Sequence, residues 1–139
     1  MRVVLDTNVL ISGIFFGGHP RAVLEAWVAE RYELVISPSI VDEYVQTCNR
    51  LGGSRPSLEY QPILAAIIGH STLVPDTPRS EPITADPDDD KFMLCAEGSG
   101  GTVVSGDQHL LDADGWHDIP VLKPRDFLDS LPEDTPSPE

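Results

Sequence analysis

The chain has 139 residues and a mass of 15.1 kDa, with 23 acids against 9 Lys and Arg and a formal net charge of −14. That length suits a single domain with a core large enough to fold without disulfides or structural zinc. The negative balance excludes a basic module that holds nucleic acid through bulk charge, and two widely spaced cysteines exclude a disulfide-stapled secreted fold.

In chain order, Arg2–Leu5 forms a short, β-branched strand, closed by Asp6. The apolar run is too short for a signal peptide or a membrane span, and reduced, buried Cys48 and Cys95 suit a cytoplasmic protein. A helix is expected from Pro20 to about Arg31, where Val23, Leu24, Trp27 and Val28 recur at helical spacing. Glu33–Ile36 gives the second strand. Ser37 and Pro38 then open a helix with a stripe of Ile40, Val41, Tyr44, Val45, Cys48 and Leu51. Gly52 to Pro56 is expected to turn, and Ser57 to cap a helix reaching Ile68. Thr72–Val74 is the third strand, and the proline-rich stretch 75–87 a loop. A helix over Asp88 to Gly98, a strand at Thr102–Val104, a short helix at Gln108–Leu111, a strand at Ile119–Leu122 and a helical turn near Arg125–Leu131 follow. The segment 131–139 has the composition of a disordered acidic, proline-rich tail.

Alternating strands and helices imply an α/β fold with a parallel sheet covered on both faces. In such sheets ligands bind outside the carboxyl ends of the strands. Four acidic positions meet on that edge. Asp6 follows the first strand, Asp107 follows the fourth, Glu43 lies in the helix after the second, and Asp88-Asp89-Asp90 starts the helix feeding the fourth. Each alone has an ordinary structural explanation, as a helix cap, a dipole partner or a solvated helix residue. Together they would repel unless protonated or neutralised by a metal, and hard carboxylate oxygens suit Mg²⁺ or Mn²⁺. His19, His70, His109 and His117 have no ligand spacing; His109, two residues after Asp107, could face the cleft. Trp27 and Trp116 are expected as core or edge anchors. Arg21, Arg50 and Arg55 are expected on the surface, where they could touch phosphate.

Val4-Leu5-Asp6-Thr7-Asn8-Val9-Leu10, Glu43, Asp86-Pro87-Asp88-Asp89-Asp90-Lys91-Phe92 and Val104-Ser105-Gly106-Asp107 resemble the PIN-domain family over about residues 1–128. The nearest branch is that of the VapC-like toxin ribonucleases of toxin–antitoxin systems. The resemblance implies a three-layer α/β/α sandwich with strand order 3-2-1-4-5, in one domain over residues 1–130. It also implies a Mg²⁺- or Mn²⁺-dependent endoribonuclease that hydrolyses RNA phosphodiesters with metal-activated water. Carried over by position, the acids that bind metal and catalyse are Asp6, Glu43, Asp89 and Asp107. Asp89 is set by its spacing from Asp107, with Asp88 and Asp90 as neighbouring alternatives. Asp90 stands where this branch usually has Asn. Asn8 and Ser105 would orient waters or ligands. The partners implied are RNA, a small basic antitoxin protein and a second copy of the chain, with no membrane. Two other classes compete: a non-catalytic metal-binding interaction module, and an Asp-based Mg²⁺-dependent phosphatase. The phosphatase is disfavoured because Asn8 stands where its second Asp is needed. The charge is uneven, net −2 over residues 1–75 and net −12 over residues 76–139, which suits a basic protein partner.

Overall fold

The computed structural model describes residues 1–54, 59–79 and 81–132. Five strands form one parallel sheet in the order β3-β2-β1-β4-β5, as the family resemblance implies. They are β1 (Arg2–Leu5), β2 (Glu33–Ile36), β3 (Thr72–Leu73), β4 (Thr102–Val104) and β5 (Val121–Leu122). The central strands are continuous apolar runs because both faces are covered: Val3, Val4, Leu5, Leu34, Val35, Val103 and Val104 are all fully buried. Among the described residues seven α-helices accompany them: α1 (Thr7–Phe15), α2 (Gly18–Val28), α3 (Pro38–Ser54), α4 (Gln61–His70), α5 (Asp90–Ser99), α6 (Gln108–Leu111) and α7 (Pro124–Ser130). Helix α2 packs on α1 and on α7, while α5 lies against β1, β2 and β4. No helix among the described residues is long and apolar enough to cross a membrane.

Several boundaries differ from the sequence reading. Helix α1 has no counterpart there. Val9, Leu10, Ile11, Ile14 and Phe15 are buried along with Thr7 and Gly13, so the helix lacks the polar face that periodicity detects. Helix α2 begins two residues earlier than expected and ends at Val28, where Glu30, with φ 61°, turns the chain. Gly52, Gly53 and Ser54 belong to α3 rather than to a turn. The ring of Tyr60 rests where a Cβ on Gly52 would lie, at 2.1 Å, so this glycine serves close packing. Helix α4 starts at Gln61. Its expected cap, Ser57, lies outside the described residues, as do Arg55 and positions 133–139. Strands β3 and β5 are shorter than expected by one and two residues.

Gly13 has a similar role between α1 and α2. A Cβ there would meet Leu24 Cδ1 at 2.6 Å and the Pro20 carbonyl oxygen at 2.8 Å. Because a backbone oxygen cannot swing aside, Gly13→Ala is expected to cost about 1–3 kcal/mol. Chemical denaturation of the two proteins measures it.

Candidate metal centre

The register of the sheet builds the site. Leu5 pairs with Val104, so the next residues, Asp6 and Ser105, emerge side by side from the carboxyl ends of β1 and β4. The pairing continues through the Asp6 N–H, which donates to the Val104 carbonyl at 3.0 Å. Ser105, fully buried, donates its hydroxyl to Asp6 Oδ2 at 2.7 Å and accepts the Asp107 N–H at 2.9 Å. One hydroxyl thus ties the first acid to the loop carrying the last. Asp6 is only 4% exposed. Burial pushes its carboxyl above the usual range, and the charges of Asp107 and Glu43 add to that, against the bonds from Ser105 and the Asn8 backbone. The Asn8 side chain is exposed and lines a pocket of about 560 Å³ with Ser12, Gly106, Asp107 and Gln108.

Glu43 arrives from α3. The next residue, Tyr44, is fully buried and donates its hydroxyl to the Leu5 carbonyl, which docks α3 against the end of β1. Glu43 then accepts the Thr7 hydroxyl on one oxygen and pairs with Lys91 Nζ at 2.7 Å on the other. Lys91 also donates to the Asp88 carbonyl at 2.8 Å. No role for Lys91 was expected from the sequence, although its place two residues after Asp89 sets it at the start of α5.

The three neighbouring acids, Asp88, Asp89 and Asp90, have separate environments. Asp86 accepts the Asp88 N–H at 3.0 Å and thereby caps a 3₁₀ turn, Pro87–Asp89, that leads into α5. Asp88 is exposed. Asp90 is buried and faces the preceding loop, accepting Arg79 Nη1 at 2.7 Å, the Thr84 N–H at 2.9 Å and the Thr84 hydroxyl at 2.8 Å. Burial raises its carboxyl, but these donors outweigh it and hold it below the usual range. Asp89 is the member facing the other acids. Its Oδ2 is buried and has no hydrogen-bond partner. Burial first, then the charges of Asp107, Asp6 and Asp86, push its carboxyl up to about 7.

Asp90→Ala is therefore expected to destabilise the fold by about 2–4 kcal/mol, since Arg79 and two Thr84 donors lose their acceptor. Thermal or chemical denaturation measures the loss.

Asp107 caps α6, accepting the His109 N–H at 3.0 Å on Oδ1. This brings the His109 ring near Asp89 and Asp107, a placement that its position two residues past Asp107 allowed. The remaining expectations resolve simply. Trp27 and Trp116 pack against the core, and Trp116 stacks on His117 at 3.8 Å. Arg21 is engaged by the Gly13 and Ile14 carbonyls at the end of α1.

The arrangement has the donor chemistry of a divalent-cation site: clustered carboxylates, one buried oxygen without a donor, and an acid whose carboxyl is pushed well up by burial and its acidic neighbours. Comparison with known proteins agrees with the fold that produces it. The uncharacterized protein MJ1680 of Methanocaldococcus jannaschii is 31% identical over 119 residues, covering 80% of this chain and 74% of its own length. The crystal structure of VapBC2 from Rickettsia felis, bound to a DNA fragment from their promoter, matches with a TM-score of 0.61. It is 14% identical and covers 88% of this chain and 98% of its own, a likeness of fold. The PIN-domain sequence profile spans residues 2–109, from the first strand through the last acid, and the chain belongs to that family, whose members are generally nucleases.

Proposed function

We propose that this chain is a Mg²⁺- or Mn²⁺-dependent endoribonuclease, with Asp6, Asp89 and Asp107 holding the cation and Glu43 reaching it directly or through water. The observation that carries this reading is Asp89: a carboxylate placed among acids, with a buried oxygen lacking any donor, is costly as an anion, and a cation beside it offsets that cost. A bound divalent ion supplies an acidified water near neutral pH and positive charge for the scissile phosphate. The protein's part is positioning. Ser105 fixes the Asp6 carboxylate, Thr7 and Lys91 fix Glu43, and the pocket beside Asn8, Ser12 and Gln108 gives an RNA strand a polar wall. Asp6, buried and bonded to Ser105, is poorly presented as a phosphate-accepting nucleophile, which speaks against the phosphatase.

The likeness to VapBC2 supports a toxin of a toxin–antitoxin pair, and the net charge of −14 suits a small basic antitoxin. The test is RNA cleavage by the partner-free protein. Chelation is expected to abolish it, and restored Mg²⁺ or Mn²⁺ to return it; cleavage indifferent to chelation contradicts the proposal.

A further inference from the structure

Two donors beside the acids, Asp86 and His109, have no part in the nuclease site as proposed. Asp86, Asp89 and His109 each offer one ligand atom within 4.8 Å of the others. They come from two places: Asp86 and Asp89 flank the 3₁₀ turn, and His109 lies in α6. The bond from the His109 N–H to Asp107 holds that helix start in place. The ring Nδ1 then stands 3.7 Å from Asp89 Oδ2 and 4.0 Å from Asp107 Oδ1. These gaps are too long for hydrogen bonds. The gap to Asp89 matches the separation of about 3–4 Å between neighbouring ligand atoms that share one ion at about 2.1 Å. A second observation points into the same space: Asp89 Oδ2, the oxygen nearest the imidazole, is one of two buried side-chain atoms without a hydrogen-bond partner among the described residues. His109 itself is half exposed, so an ion could reach it from solvent.

We propose that Asp86, Asp89 and His109 form a cation subsite with an imidazole ligand, adjoining Asp6 and Asp107 and sharing Asp89 with them. The subsite rests on the metal-nuclease reading, but it makes a separate claim. An all-oxygen set suits Mg²⁺, whereas a nitrogen donor favours first-row transition ions. The subsite therefore takes Mn²⁺ in preference to Mg²⁺, and His109 is the residue that sets the preference.

Pulsed electron paramagnetic resonance of the full chain with sub-stoichiometric Mn²⁺ tests this without reference to activity. The expected spectrum carries ¹⁴N modulation from a bound imidazole, which changes to the ¹⁵N pattern when histidine is ¹⁵N-labelled. His109→Gln removes the modulation. In calorimetric titrations the same variant lowers the ratio of Mn²⁺ to Mg²⁺ affinity about tenfold. Bound Mn²⁺ without nitrogen coupling, or coupling that persists in His109→Gln, overturns the subsite and leaves the acid site standing. Failure of the wild-type protein to bind Mn²⁺ at all overturns both. The labelled wild-type spectrum does not depend on how the variant folds.

Discussion

Asp6→Asn is expected to lower RNA cleavage by at least about a hundredfold while leaving the fold intact. Loss of a group that merely orients a metal ligand costs about 10–100-fold in metal affinity or activity, and Asp6 is proposed as a ligand itself. The variant is clean for structural reasons. The side-chain carbonyl of the substituted amide can still accept the Ser105 hydroxyl, and the Asp6 backbone bonds to Val104, Val9 and Leu10 do not involve the side chain. What disappears is a charge held at 4% exposure beside other acids. Without metal, Asp6→Asn should therefore melt no lower than the wild-type protein, so lost cleavage cannot be ascribed to unfolding. Turnover on a labelled RNA, together with a melting curve, checks both halves.

The second large effect is a reversal between adjacent residues. Asp89→Asn is expected to stabilise the metal-free protein at pH 8, whereas Asp90→Ala destabilises it. The Asp89 carboxyl titrates at about 7 in the folded chain against its ordinary value of 3.8. Between those values the folded state binds more protons than the unfolded one, so stability falls as pH rises through that window. Above about pH 7 the whole penalty is present. Asp89→Asn removes it and flattens the pH dependence, raising the melting temperature by several degrees at roughly 3–5 °C per kcal/mol for a chain of this size. A divalent cation should restore the wild-type protein at pH 8, because an ion that binds only the folded state adds stability by mass action. Asp89→Asn should gain little from the same cation. Melting curves at pH 5 and pH 8, with and without Mg²⁺, separate these outcomes. An Asp89→Asn protein that melts below wild type at pH 8 would show that Asp89 has a structural role like that of Asp90.

Much of this was legible in the residues, and the rest depended on tertiary contacts. The strands were readable because a parallel sheet buried on both faces demands β-branched runs such as Arg2–Leu5 and Thr102–Val104. The acidic edge followed, since strand ends and helix starts share one side of the sheet. Helix α1 was not readable, because a helix buried nearly all round has no amphipathic period. Nor was the continuation of α3 through Gly52 and Gly53, which depends on a Tyr60 ring from beyond the helix. The run Asp88-Asp89-Asp90 is degenerate in sequence; what separates its members is a loop residue, Arg79, and the backbone of Thr84. His109 has no histidine partner at any ligand spacing. Its neighbours Asp86 and Asp89 lie about 20 residues earlier, and the packing of α5 back along β4 brings their elements together.

The net charge of −14 takes on a local meaning in the fold. Part of the surplus in residues 76–139 is Asp86, Asp89 and Asp107, gathered where cations would offset it. What remains still opposes tight, non-specific binding of RNA, so docking is expected to depend on the metal-filled edge.

Product-end chemistry on a single labelled RNA tests the central claim most directly. Metal-activated water predicts cleavage only with Mg²⁺ or Mn²⁺ present, leaving 3′-hydroxyl and 5′-phosphate ends. Cleavage that persists in chelator and leaves 2′,3′-cyclic phosphate ends would place the chemistry on the ribose hydroxyl and contradict a metal nuclease at Asp6, Asp89 and Asp107.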